Sequence, residues 1–167
     1  MAKSSQALLI AALCFFGLLG FAYCHDDFKV VGSVYCDTCR ALFVTRVSQP
    51  VPNAPIKLEC RSRDNGTITH SVESKCDELG DYRVTVEGEH QEDICEVVLL
   101  DSPVSNCAEK VRGRDRARIV LTHNNGVVSS TRYANPLGFL ADKPLEVCAD
   151  VLKELDLLPT IDFALPI

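Results

Sequence analysis

Apolar and polar residues alternate along much of this chain in short runs, and the alternation predicts strands. Ile56, Leu58 and Cys60 fall on one side of an extended segment, with Lys57, Glu59 and Arg61 on the other. Tyr82, Val84 and Val86 alternate with Arg83, Thr85 and Glu87. Cys95, Val97 and Leu99 alternate with Glu96 and Val98. Segments 28–35, 41–47, 67–72, 118–123 and 127–133 are further strand candidates. Asp64-Asn65-Gly66 and Asn124-Asn125-Gly126 read as hairpin turns, because Asn and Gly accept the positive φ that tight turns need. About seven or eight such strands make an all-β, antiparallel β-sandwich or squat barrel. One segment has helical spacing instead. Pro144 suits a first turn, Leu145, Cys148, Ala149, Leu152 and Leu155 share a face, and Glu146, Asp150, Lys153 and Glu154 share the other. Pro159 ends it, so a short C-terminal helix is expected, pinned to the sheet through Cys148.

The start of the chain has a different pattern. Lys3 precedes an unbroken apolar run from Ala7 to Phe21 of about fifteen residues, the length of a secretory h-region and short for a membrane span. Ala22 and Cys24 are small residues suited to cleavage before His25, which makes 1–24 a signal peptide and 25–167 one secreted domain. Cleavage after Ala22 is the competing choice. The net charge is −6, which argues against nucleic acid and anionic membranes as partners.

Secretion changes how the cysteines are read. Cys36-Asp37-Thr38-Cys39 has the spacing of a zinc or redox motif. A structural zinc site needs four ligands, and the four histidines (His25, His70, His90 and His123) show no ligand spacing. A redox dithiol needs a strand-to-helix junction, whereas this pair lies between strand-like stretches. With Cys60, Cys76, Cys95, Cys107 and Cys148 it reads as a disulfide framework with one odd thiol, or an even set if Cys24 survives cleavage. Cys60 and Cys95, both inward on their strands, could meet across the core.

No G-x-S-x-G occurs, and the carboxylates Glu87, Glu89, Glu92 and Asp93 around His90 read as a solvated acidic loop. No enzyme activity, cofactor or metal is expected. Arg112, Arg114, Arg116 and Arg118 recur at every second position, so an extended segment would put all four on one face, a candidate patch for carboxylates. Asn65-Gly66-Thr67 is an N-glycosylation sequon at a predicted hairpin tip.

Gly32-Ser33-Val34-Tyr35-Cys36-Asp37-Thr38-Cys39-Arg40 resembles the signature of the Ole e I pollen allergen and extensin family. Asp93-Ile94-Cys95-Glu96, Asn106-Cys107 and Asn135-Pro136-Leu137-Gly138-Phe139 follow in the order of that family. The resemblance covers most of residues 28–158. It implies the pairing Cys36–Cys107, Cys39–Cys148 and Cys60–Cys95, with Cys76 outside the pattern. Gly32-x-Val34, Pro55-Ile56-x-Leu58 and Asp77 to Val84 are similar to transthyretin-like sandwiches. The family further implies a small secreted plant glycoprotein abundant in pollen or anthers, and the chain is expected to be non-enzymatic and monomeric. Its members are allergens tied to pollen hydration, germination and tube growth, with a receptor-kinase ectodomain as expected partner. The alternative is a wall module that binds acidic polysaccharide such as pectin.

Overall fold

The computed structural model describes residues 27–157. The expected signal peptide and Pro159 lie outside the described residues. Among the described residues, ten strands form two sheets. The first is organised on β1 (Asp27–Asp37), whose two halves serve different neighbours. Its first half pairs with β5 (Asp81–Glu87) antiparallel and with β9 (Thr131–Tyr133) parallel. Its second half pairs with β2 (Gln49–Pro50) antiparallel and with β10 (Leu137–Leu140) parallel, and β10 pairs with β7 (Glu109–Lys110). The second sheet is antiparallel throughout, in the order β4 (Ile68–Lys75), β3 (Pro55–Ser62), β6 (Asp93–Leu99), β8 (Arg116–Ile119). The wholly antiparallel expectation is therefore corrected: the first sheet is mixed. After β8 the chain crosses back from the second sheet and runs beside β1 in the same direction twice.

The alternation read from sequence is the packing pattern. Ile56, Leu58 and Cys60, Tyr82, Val84 and Val86, and Cys95, Val97 and Leu99 all turn into one core shared by both sheets. Phe28, Phe139 and Leu121 fill its centre with no exposed surface to speak of. Each such side chain contributes about 1.5–3 kcal/mol on leaving water. The hairpin at 64–66 is present: Gly66 has φ +71° and the Asn65 carboxamide oxygen accepts the Thr67 N–H at 3.0 Å.

Several expectations are corrected. Segment 41–47 is not a strand. The buried Asp37 carboxylate accepts the N–H groups of Cys39 (3.1 Å) and Leu42 (2.6 Å), and that folds the chain into a turn with Arg40 and Leu42 at positive φ. The strand expected over 118–123 runs earlier, and the one over 127–133 shortens to its last three residues. Asn124-Asn125-Gly126 makes a turn, but the strands on either side of it belong to different sheets, so no hairpin forms. Cys60 and Cys95 do not meet across the core. They are register partners on adjacent strands, with Cα atoms 3.9 Å apart. The helix α1 (Cys148–Glu154) buries Cys148 and Val151, whereas Ala149 and Leu155 face solvent and Leu145 precedes it in an exposed turn. Seven residues make two turns, too short to bury a leucine stripe.

Candidate functional site

The structure contains the bridges Cys36–Cys107, Cys39–Cys148 and Cys60–Cys95. Cys36 and Cys39 thus serve different partners, one tying β1 to the segment before β7 and the other tying it to α1. Arg40 adds an ion pair to Glu109 at 2.7 Å and a hydrogen bond to the Ala141 carbonyl at 2.6 Å. Arg46 forks onto Glu154 at 2.9 and 3.0 Å. The C-terminal end of β1 is thus locked to the late segments of the chain around Asp37. Cys76 is a buried free thiol, pushed up to about 11 by burial and by the nearby Asp77 and Asp81 carboxylates. As a thiol rather than a thiolate, it is a poor nucleophile and metal ligand at neutral pH.

The arginine segment is only half extended. Residues 111–115 form a turn with Gly113 at φ +86°, closed by the N–H groups of Arg114 and Asp115 on the Val111 carbonyl. Period-two alternation therefore places only Arg116 and Arg118 on a common outward face of β8, opposite the buried Ala117 and Ile119. Arg112 and Arg114 are exposed beside the turn. Arg116 pairs with Glu96 at 3.2 Å and Asp115 at 3.5 Å, so part of its charge is met within the chain.

Arg118 reaches instead toward the end of the second sheet. There, with Arg63, it borders a recess of about 260 Å³ whose floor includes His90 and Asp93. The His90 imidazole Nδ1 lies 2.9 Å from an Asp93 carboxylate oxygen that also accepts the Thr69 hydroxyl at 2.7 Å. The His90 bond is the main reason the Asp93 carboxyl sits below its ordinary pKa. The Nε2 atoms of His90 and His70 are buried without a partner, and the two rings are 5.3 Å apart. Cys60, His90 and Cys95 converge within 4.8 Å, but the two sulfurs are joined to each other. Asn65 is exposed at the neighbouring hairpin tip.

The acidic run is partly a structural device. Burial opposes ionisation of Glu89, but its bonds to His123 and Thr122 outweigh burial and hold its carboxyl below the usual range. Sequence reading missed Arg132. It is buried, its ring-like guanidinium lies 4.9 Å over Phe28, and it donates to the carbonyls of Val120 (3.1 Å), Thr122 (2.8 Å) and Ser129. The available signal was a charge at an inward position of segment 127–133.

The sequence pattern of the family described as pollen protein Ole e 1 like matches residues 26–156. The chain belongs to that family. It is 47% identical to an Olee1-like protein of Betula pendula, over 95% of this chain and 97% of that one. It is 48% identical to the pollen allergen Cro s 1 of Crocus sativus, over 90% and 92%. It is 42% identical to the anther-specific protein LAT52 of Solanum lycopersicum, over 95% and 98%. Among solved structures, the plantain pollen allergen Pla l 1 matches with a TM-score of 0.63 at 28% identity, covering 71% of this chain and 97% of that one. The chain is thus a disulfide-bonded two-sheet protein of a pollen-associated allergen family. Among the described residues, no helix is long and apolar enough to cross a membrane.

Proposed function

We propose that this Ole e 1-like protein is a secreted, non-enzymatic ligand of the pollen or anther surface that promotes hydration, germination and tube growth by binding a receptor ectodomain. Kinship along nearly its whole length to an anther-specific protein and a pollen allergen carries this reading. Disulfides persist in oxidising compartments, which supports secretion, and residues 1–24 serve as the signal peptide ahead of the domain from residue 25. Two bridges flanking Asp37 and a third within the second sheet suit a ligand that must present a fixed surface outside the cell.

The contact face we assign is the arginine segment. Arg118 and Arg63 stand at the rim of the His90 recess, with Arg116 beside them and Arg112 and Arg114 at the adjoining turn. Arginine forks recognise carboxylates in pairs, so the matching receptor face is acidic. An Asn65 glycan would sit beside this rim and limit which partners approach.

The test is capture from pollen and stigma extracts on immobilised protein, with R116S/R118S in parallel. Retention of a membrane receptor by the unmodified protein, lost in the variant at unchanged melting temperature, is the expected result. Equal retention by both proteins sinks the assignment of the face. Rapid turnover of an extract component sinks the non-enzymatic reading.

A further inference from the structure

On the outer face of the other sheet, the register of three strands builds a surface of different chemistry. Val31 stands opposite Tyr133 on β9 and opposite Arg83 on β5. Tyr133, Val31 and Arg83 therefore form one row across the strands. Lys29 stands opposite Thr131 and Thr85, which makes a second row beside it. All these side chains point away from the core, because their neighbours Phe28, Val30, Tyr82, Val84 and Arg132 point into it. Lys29, Val31, Arg83, Thr131 and Tyr133 of these rows, with Asp81 at one edge, line a shallow groove of about 650 Å³, larger than the recess beside Arg118.

Tyr133 is 81% exposed, unusual for an aromatic residue in a strand. A ring left in water on a floppy edge would be unremarkable. This edge is fixed. The buried guanidinium of Arg132, the next residue, holds β9 to the carbonyls of Val120 and Thr122, while the β9 ladder to β1 continues at Lys29 N–H to Ser130 and Ala134 N–H to Val31. The ring is thus displayed at low entropic cost to a ligand. Val31 extends its apolar surface. Arg83 and Lys29, diagonal neighbours about 7–8 Å apart, add two cations.

We propose that this groove binds an acidic oligosaccharide, a short chain of uronic acid units. The pyranose C–H face stacks on Tyr133 and Val31, two carboxylates meet Arg83 and Lys29, and the Thr131 hydroxyl serves the ring oxygens and hydroxyls. The charges also set the orientation. Asp27 and Glu87 close one end of the strands and Asp81 the other. A polyanion running along the strands would meet carboxylates at both ends, whereas one lying across them lies over Lys29 and Arg83 and has Asp81 at one edge of the groove. Two strand spacings, about 10 Å, accommodate a disaccharide. The proposal rests on the extracellular placement above but on a separate surface: β8 with its arginines lies in the second sheet, so one molecule can hold a receptor and an acidic wall polymer at once.

The experiment is calorimetry with oligogalacturonate on the full secreted protein, with fully methyl-esterified oligomer and a neutral galactan as comparison ligands. Saturable binding of the acidic oligomer is expected, weaker with added salt. Y133A and the pair K29Q/R83Q should each weaken it about tenfold or more. These exposed positions should leave the melting temperature unchanged, and R116S/R118S should bind the sugar as the unmodified protein does. Absence of saturable binding overturns the proposal, as does equal binding of the esterified or neutral ligand. Loss of binding in R116S/R118S with none in Y133A would move the sugar to the arginine segment and overturn it too. Capture of a receptor by the arginine face fails or succeeds independently of all these outcomes.

Discussion

Replacing Arg132 with alanine should be among the most damaging single changes in this protein. Among the described residues it hydrogen-bonds to carbonyls and lies over a ring, so the buried charge is met by carbonyl dipoles and by Phe28. Hydrogen bonds to a charged group each contribute about 1.5–3 kcal/mol. Two here have good geometry, at 3.1 and 2.8 Å. Stacking over Phe28 adds about 0.5–2 kcal/mol. Against this stands the cost of keeping a guanidinium out of water, which the variant no longer bears. What the variant does bear is a cavity and two stranded carbonyls, at about 1–3 kcal/mol each. The expected net loss is about 3–4 kcal/mol. R132M keeps most of the volume and should lose about 2 kcal/mol, because the carbonyls still go unmet. Urea unfolding with the disulfides intact measures both. Amide exchange should show the added opening concentrated in segments 120–123 and 129–134. A loss below about 1 kcal/mol for the alanine variant would refute the view that this guanidinium fastens β9 to the preceding loop.

Replacing Cys60 and Cys95 together with alanine should cost about 4 kcal/mol, since their bridge closes a loop of 35 residues, and urea unfolding reads it directly. Cys148→Ser should raise amide exchange in 145–157 ahead of the rest, because Cys148 and Val151 are the only residues α1 buries; uniform loss of protection would contradict the docking account. Asp93 and Glu89 both have folded pKa values below their ordinary ones, so the stability they contribute is full above about pH 4–5 and disappears as the pH falls through the depressed values. D93N should flatten part of that acid limb in a melting-temperature titration, and an unchanged limb would argue against the His90 pairing. Gly32→Ala should destabilise by about 1–3 kcal/mol, because the new Cβ meets the buried Tyr82 ring, with Cζ at 2.6 Å; a neutral effect in thermal unfolding would show that the ring yields easily.

How much of this was legible in sequence varies by element. β3 and β5 were readable because each has one face on the core and one on water, so hydropathy alternates residue by residue, and β6 was readable from Cys95, Val97 and Leu99 although Val98 breaks its polar face. β10 was not, because all four of its residues are buried and a continuous apolar run carries no period. The segment after Cys39 was misread as a strand because its apolar residues suggested one, and the decisive influence was a carboxylate outside it: Asp37, aimed back at the Cys39 and Leu42 N–H groups. The arginine segment kept its period only where β6 pairs with it. Val111 and Gly113 close a turn that periodicity cannot reveal. Tyr133 and its supporting Arg132 were hidden in a stretch read simply as a strand, since register with β1, a long-range property, is what aligns Tyr133 with Val31 and Arg83.

The central claim is that this protein acts by stoichiometric recognition at the pollen surface. Binding of fluorescently labelled protein to intact germinating pollen tubes tests it most directly. With excess oligogalacturonate present to occupy the sugar groove, the account predicts saturable binding that unlabelled protein displaces and that R116S/R118S fails to displace. Binding that never saturates, or displacement by the variant as effective as by the unmodified protein, would contradict it.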